Sequence, residues 1–301
     1  MLALLLAFCL MPISAFGQQT VWETINRSPE LGRFKSQLNS QPGLRDKLAN
    51  PMFKFTVFAY TDDAFEMSRR EQNSDLNLPD TIKYHIYDAT GSSLVQLADF
   101  GSRDVLKTML DTPVYTRQVQ VQDDYGRQEV QYYVNHAKVL DRDYDRTFTT
   151  ASGIVYLIDR VLVPVGRPQS IYGYLQMSEN RVYKFNELID QVVHTDPEFQ
   201  SILQSFDKGT AFIPNDQAFA KVPLQNLQRI KTDVNNLKNI VRAHFSFQDV
   251  YFTGPMQPGQ EYPMEYSNLE INKDDHNNIC KFDHLFLCSE PLKSFVYLFI
   301  I

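Results

Sequence analysis

The stretch Phe55-Thr56-Val57-Phe58-Ala59-Tyr60-Thr61-Asp62-Asp63-Ala64-Phe65 constrains the fold more than any other. Its first six residues are mostly aromatic and β-branched, which suits a pleated, half-buried strand. The polar step that follows predicts a helix start. Thr61 or Asp62 can accept a hydrogen bond from an orphan amide there, and a carboxylate suits that end of the helix dipole. A weaker copy returns at Thr210-Ala211-Phe212-Ile213-Pro214-Asn215-Asp216-Gln217-Ala218-Phe219. The repeat predicts two modules, and 301 residues give each enough chain for its own core. Two carboxylates at a helix start can also form an active-site turn. The copy keeps the strand and the cap but puts Asn215 where Asp62 stands, so Asp62 and Asp63 read as helix-start residues.

Charge narrows the classes. The chain carries 29 basic and 36 acidic residues, a net charge of -7, which argues against broad nucleic-acid binding and against attraction to an anionic membrane. Leu2 to Ile13 is apolar and ends in Ser14, Ala15 and Gly17, so residues 1–17 read as a signal peptide of a secreted protein, although no basic residue precedes the run. The run is short for a membrane span, and no span is expected in the mature chain. Cleavage would remove Cys9 and leave Cys280 and Cys288, so the first module must hold together by packing alone. Asn26-Arg27-Ser28 fits the glycosylation sequon, with Pro29 directly after it.

Taken in order, Thr20 to Ile25 and then Leu31, Phe34 and Leu38 predict two short helices on either side of Pro29. Gln41-Pro42-Gly43 is a turn, and Asn50-Pro51 closes the next helical piece. Asp80 to Tyr87 follows Pro79, with Asp80 or Thr81 as its cap. Val114, Thr116, Val119 and Val121 alternate into Asp123-Asp124-Tyr125-Gly126 and out through Val130, Tyr132 and Val134, which predicts a hairpin. Val134 to Leu140 and Gly153 to Pro164 read as closing strands, apolar enough to be buried on both faces in part. Pro164, Gly166 and Pro168 mark a boundary. Beyond it, Phe185, Leu188, Ile189, Val192 and Val193 share one helix face, and Phe199, Ile202, Leu203 and Phe206 continue the pattern until Lys208-Gly209 ends it. Leu237, Ile240, Val241 and His244 stand where Ile82 and His85 stand in the first module.

This order of features resembles the fasciclin domain family. The resemblance rests on Thr56 to Phe65, on the Tyr84-His85 dipeptide and on the segment from Val134 to Pro164. It implies an α+β fold of two tandem fasciclin-like domains, each a wedge of β-sheets packed with helices. Residues 18–166 would form a complete first domain, 167–278 an incomplete second one, and 279–301 an atypical tail. The resemblance also implies extracellular adhesion by protein binding, with a cell-surface receptor or matrix protein, integrin-like in kind, as partner. The binding residues it carries over are Tyr84, His85, Asp143 and Asp145. Read from the residue alone, a His beside aromatic residues is more often a hydrogen-bonded structural group than a ligand-binding one, since a buried imidazole needs only one donor and one acceptor partner.

The second domain departs from the pattern. It has Ala243-His244 in place of Tyr-His, and no counterpart of Val134 to Pro164 follows Tyr266 to Ile271. A sheet without closing strands exposes an unpaired edge, so self-association through this domain is expected. In the tail, His276, Cys280, His284 and Cys288 are each four residues apart. On a helix they would form one stripe about 18 Å long, too long for one zinc shell. An extended tail would instead allow a Cys280–Cys288 disulfide. The apolar end, Ser294 to Ile301, is too short to span a bilayer and would be an aggregation hazard if exposed.

No phosphate loop, nucleophile elbow or zinc-protease pair occurs, and neither cofactor, resident metal nor enzymatic activity is expected. The rival readings are a secreted metal-binding protein or enzyme, using Asp141, Asp143 and Asp145 or the His/Cys tail, and a truncated isoform without adhesive function.

Overall fold

A computed structural model describes residues 19–72, 79–102, 105–122, 126–140, 147–164, 172, 175, 182–205, 209–220, 222–273, 279–282 and 295–300. The chain divides into two compact units, Met1–Pro164 and Val165–Ile301.

In the first unit, helices α1 (Val21–Arg27), α2 (Gly32–Asn39) and α3 (Pro42–Ala49) precede strand β1 (Phe55–Tyr60). A capping box starts α1: Thr20 accepts from the Glu23 amide, and Glu23 accepts from the Thr20 amide at 2.8 Å. Pro29 opens a short 3-10 turn between α1 and α2, because its ring forbids a continuous helix. Helices α4 (Asp62–Gln72) and α5 (Pro79–Tyr84) then lead to β2 (Ile86–Asp88).

Four further strands, β3 (Val105–Lys107), β4 (Pro113–Gln122), β5 (Gln128–Val134) and β6 (Ala137–Lys138), make one sheet in that order. The other sheet runs β2-β1-β8-β7, with β7 at Thr147–Thr150 and β8 at Gly153–Ile158. Strand β1 is parallel to β8, from Phe55 opposite Gly153 to Tyr60 opposite Ile158, and antiparallel to β2. Every residue of β1 and β8 is buried, as expected of a central parallel pair covered on both faces. Phe34, Ile82 and Tyr84 join them in one core. Each such side chain removed from water contributes about 1.5–3 kcal/mol.

The closing strand expected over Val134 to Leu140 is broken by a turn at Asn135, whose φ of 53° lies in the left-handed region that Asn tolerates. The two resulting pieces, β5 and β6, pair with each other.

The second unit repeats the plan. Helix α6 (Tyr183–Val193) buries Phe185, Leu188, Ile189, Val192 and Val193, the face its spacing predicts. Helix α7 (Pro197–Ser205) precedes β9 (Gly209–Pro214), and helices α8 (Asp216–Phe219), α9 (Leu224–Thr232) and α10 (Val234–Arg242) lead to β10 (Phe245–Ser246). Gly209 therefore opens a strand; α7 is described as far as Ser205, and Phe206 to Lys208 lie outside the described residues. Strands β11 (Glu261–Pro263), β12 (Asn268–Lys273) and β13 (Ile279–Phe282) form an antiparallel sheet.

The last strand, β14 (Phe295–Ile300), pairs with β9 along its whole length. The edge of β9 expected to stand open is thus taken by residues that the sequence reading set apart as a tail. The sense of pairing differs between the units: β8 is parallel to β1, whereas β14 is antiparallel to β9. Cys280 lies on strand β13, so a helical His/Cys stripe does not pass through it. His276, His284 and Cys288 lie outside the described residues, as do residues 1–17.

Candidate functional site

The Tyr84-His85 dipeptide sits at the end of α5, where the helix gives way to β2. His85 is fully buried and Tyr84 is 1% exposed. The His85 ring packs against Tyr60 at 5.0 Å and Phe34 at 5.9 Å between centroids, edge to face in both cases. Its Nδ1 donates to the Thr81 carbonyl at 2.7 Å, one helical turn back, and its Nε2 accepts the Leu162 amide at 2.9 Å. Accepting from an amide requires a neutral ring, and these two bonds fix which nitrogen carries the proton. Desolvation pushes the imidazole pKa from 6.5 down to about 3, so the ring stays neutral at ordinary pH.

Tyr84 points to the other sheet. Its hydroxyl donates to the Pro113 carbonyl at 2.9 Å and accepts from Asn135 Nδ2 at 3.0 Å. Asn135 Oδ1 in turn accepts the Tyr115 amide at 2.8 Å. The dipeptide thus joins both sheets of the unit from inside: His85 holds the segment after β8, and Tyr84 holds the base of the β4–β5 hairpin. Asn135 and Leu162 are the residues that sequence reading missed, and Thr81, read there as a helix cap, instead offers its carbonyl to His85. An Asn flanked by apolar alternation was the available sign for the first; backbone partners such as Leu162 leave no mark in a sequence.

The segment after β8 also packs on α4. Ser68 Oγ accepts the Val161 amide at 2.9 Å, next to the residue that His85 fastens. Beside this contact lies a cleft of about 360 Å³ lined by Glu30, Thr61, Asp62, Asp63, Ala64, Met67, Leu140 and Asp159. Four carboxylates meet there, but two are committed. Asp62 accepts the Gly32 amide at 3.2 Å and the Arg33 amide at 2.6 Å, so it caps the start of α2 from a neighbouring helix. Asp159 accepts the Lys138 amide at 2.7 Å and pairs with Arg160 at 3.5 Å; burial nevertheless raises its pKa. Asp63 and Met67 are exposed on the rim. Thr61 accepts the Ala64 amide at 3.1 Å and is the cap of α4.

The same devices recur in the second unit. Asn215 accepts the Ala218 amide at 3.0 Å, Asp216 accepts the Lys184 amide at 2.9 Å at the start of α6, and His244 Nδ1 donates to the Ile240 carbonyl at 2.8 Å. Asn215 is therefore the counterpart of Thr61, and Asp216 that of Asp62, which corrects the sequence reading that set Asn215 opposite Asp62. Thr56 accepts the Val95 amide at 3.1 Å and Thr210 the Tyr251 amide at 2.8 Å. The main-chain bond from Phe58 to His85 has its equal from Phe212 to His244, both at 2.9 Å. What is duplicated is a scaffold of caps and strand anchors.

Asp143 and Asp145 lie outside the described residues; the chain enters their segment directly from Leu140 in the cleft wall. Asn26 is exposed on α1, while Ser28 of the same sequon is buried and bonds the Thr24 carbonyl at 2.9 Å. Among the described residues no group of three or more His, Cys, Asp or Glu side chains can hold a metal ion, and no helix is long and apolar enough to cross a membrane.

Two successive α+β units that anchor a central strand and a helix start in the same way define a protein of two tandem α+β modules. The Fasciclin domain matches residues 29–164 and 183–285, and the chain belongs to that family. Among solved structures, it is similar to a FAS1 domain pair from the insect cell adhesion molecule Fasciclin I, with 16% identity over 85% of this chain and 88% of the other and a TM-score of 0.35. No curated protein matches.

Proposed function

We propose that this chain is a secreted or extracellular-matrix adhesion protein that acts by binding another protein through its fasciclin domains. The observation that supports the reading best is the match of both units to the Fasciclin domain. The signal-peptide pattern of residues 1–17 supports secretion, and the exposed Asn26 supports glycosylation.

The contact surface of this reading is the rim of the first-unit cleft, Asp63 and Met67, together with Asp143 and Asp145 in the segment that Leu140 enters. A cell-surface receptor or matrix protein, integrin-like in kind, is the partner. Tyr84 and His85 serve it as positioning residues from beneath, because buried rings offer a partner no surface. Self-association through the second unit belongs to the same reading.

Cell attachment to a surface coated with the chain tests it. Attachment that falls with Asp63→Lys and Met67→Glu, at unchanged melting temperature, is the expected result; attachment no better than to an inert protein would reject it.

A further inference from the structure

Past Ile158 the chain leaves the sheet. Residues 161–164 belong to no strand or helix and are the last of the first unit. Val161 and Leu162 are fully buried all the same. What fastens them is a set of side chains from three other elements. Ser68 on α4 accepts the Val161 amide at 2.9 Å, and His85 at the end of α5 accepts the Leu162 amide, also at 2.9 Å. His136, in the turn between β5 and β6, is hydrogen-bonded to the Val161 backbone.

Two of these three holders are imidazoles, and neither has room for a second proton. His85 needs its Nε2 lone pair to accept from Leu162. His136 Nε2 is buried and finds no partner among the described residues, so a proton there would be a buried, unpaired charge. Desolvation keeps both rings neutral, and like charge adds to it, since His136 bears on His85 and Arg160 on His136. The nearby acids are committed: Asp159 to the Lys138 amide and Arg160, Asp62 to the two amides at the start of α2. Tyr60, edge to face with His85, and Tyr84 beside it are both pushed above their ordinary range and stay neutral.

We propose that residues 161–164 form a latch released by acid: once His85 and His136 are protonated, the segment leaves the core of the first unit while both sheets stay folded. Leaving breaks side-chain bonds and uncovers Val161 and Leu162, but it costs no strand pairing, which makes this the part of the core that opens most cheaply. Release brings both rings to water, where they regain the ordinary value of 6.5 in place of about 3 for His85 and about 4 for His136. The open form therefore binds more protons below about pH 6.5, and acid favours it. Opening should become about 10²–10³-fold more favourable between about pH 7 and about pH 5. Asp159 stands in the cleft wall just before the latch, so release slackens that wall too. The device does not depend on the adhesion reading.

Hydrogen exchange of the full chain, referred to the intrinsic rate at each pH, tests it. The Val161 and Leu162 amides should exchange at least about tenfold faster than the Phe58 amide, which is held within the sheet by the His85 carbonyl. Their protection should fall about 10²–10³-fold from about pH 7 to about pH 5. His85→Gln and His136→Gln should each remove part of that fall, and the double variant most of it. Where the variants fail to fold, the parent chain decides. Protection of Leu162 equal to that of Phe58 at every pH would mean that the segment opens only with the whole unit and would overturn the proposal. A protection that does not change with pH, or a fall undiminished in a folded double variant, would overturn it as well.

Discussion

His85 and Leu162 are 77 residues apart and joined by one hydrogen bond, Nε2 to amide at 2.9 Å, inside a core without solvent. The bond ties the end of α5 to the segment after β8. Replacing His85 by Ala removes it, strands the Leu162 amide and opens a void against Phe34 and Tyr60. A loss of about 3 kcal/mol is expected in urea unfolding, from an unsatisfied buried donor plus a cavity. If the bond also holds the cleft wall, attachment should fall in His85→Ala even where the protein remains folded.

The same residue predicts a pH dependence. Unfolded His85 protonates near 6.5, whereas burial pushes the folded value down to about 3. Between those values the unfolded state holds more protons, so stability is complete above about 6.5 and is lost as pH falls toward about 3. The full window corresponds to roughly 4–5 kcal/mol. His136, pushed down to about 4 first by desolvation and then by Arg160, adds to the same window. Unfolding midpoints measured from about pH 7 to about pH 4.5 should drop steeply in the parent chain and less steeply in His85→Gln. Parallel curves for the two would contradict the assignment.

Asp62 and Thr61 are adjacent yet cap different helices, α2 and α4. Thr61→Ala should cost about 1 kcal/mol, the usual worth of a cap. Asp62→Ala should cost at least as much, about 1–2 kcal/mol, since two amides at a helix start lose a charged acceptor. Asp62→Asn would retain part of that. The measurement is thermal unfolding of the three variants, and an Asp62→Ala protein as stable as the parent would show that the contact is not formed in solution.

Much of this was legible. The strand-to-helix repeat, the hairpin from Val114 to Val134 and the buried face of α6 follow from side-chain periodicity, which local sequence carries directly. Which of Thr61 and Asp62 caps α4 was not legible, because the deciding amides belong to Gly32 and Arg33 on another helix. The role of β14 escaped for a related reason. Strand pairing joins backbones, so an apolar run with no likeness to β8 can take the place beside β9 in the opposite sense. The cleft around Asp62 and Asp159 depends likewise on residues brought together from distant elements.

Tyr60 offers a test with the opposite sign. It is fully buried, and its hydroxyl finds no hydrogen-bond partner among the described residues. Desolvation, reinforced by Asp62, pushes its pKa well above the ordinary value of 10.0. Removing an unsatisfied buried hydroxyl without changing the ring should stabilise the protein, by about 1 kcal/mol. Tyr60→Phe is therefore expected to raise the melting temperature, and a fall would mean that the hydroxyl is bonded in solution.

Gly153 opens β8 with a φ of 153°, opposite Phe55 in the parallel register. A Cβ built there would lie 1.9 Å from the Phe55 carbonyl oxygen, far inside contact distance. The obstacle is backbone, so no side-chain rotation relieves it. Gly153→Ala must therefore shift the start of β8 away from β1, the pair on which the whole unit closes. A loss of about 3 kcal/mol or more is expected, large for a single methyl but in keeping with strain at a forbidden backbone position. Gly43 is the control: nothing lies within 4 Å of a Cβ added there, and it sits in helix α3, where Ala is the better helix former. Gly43→Ala should raise the urea midpoint slightly while Gly153→Ala lowers it strongly, and equal effects would contradict the close approach of Gly153 to Phe55.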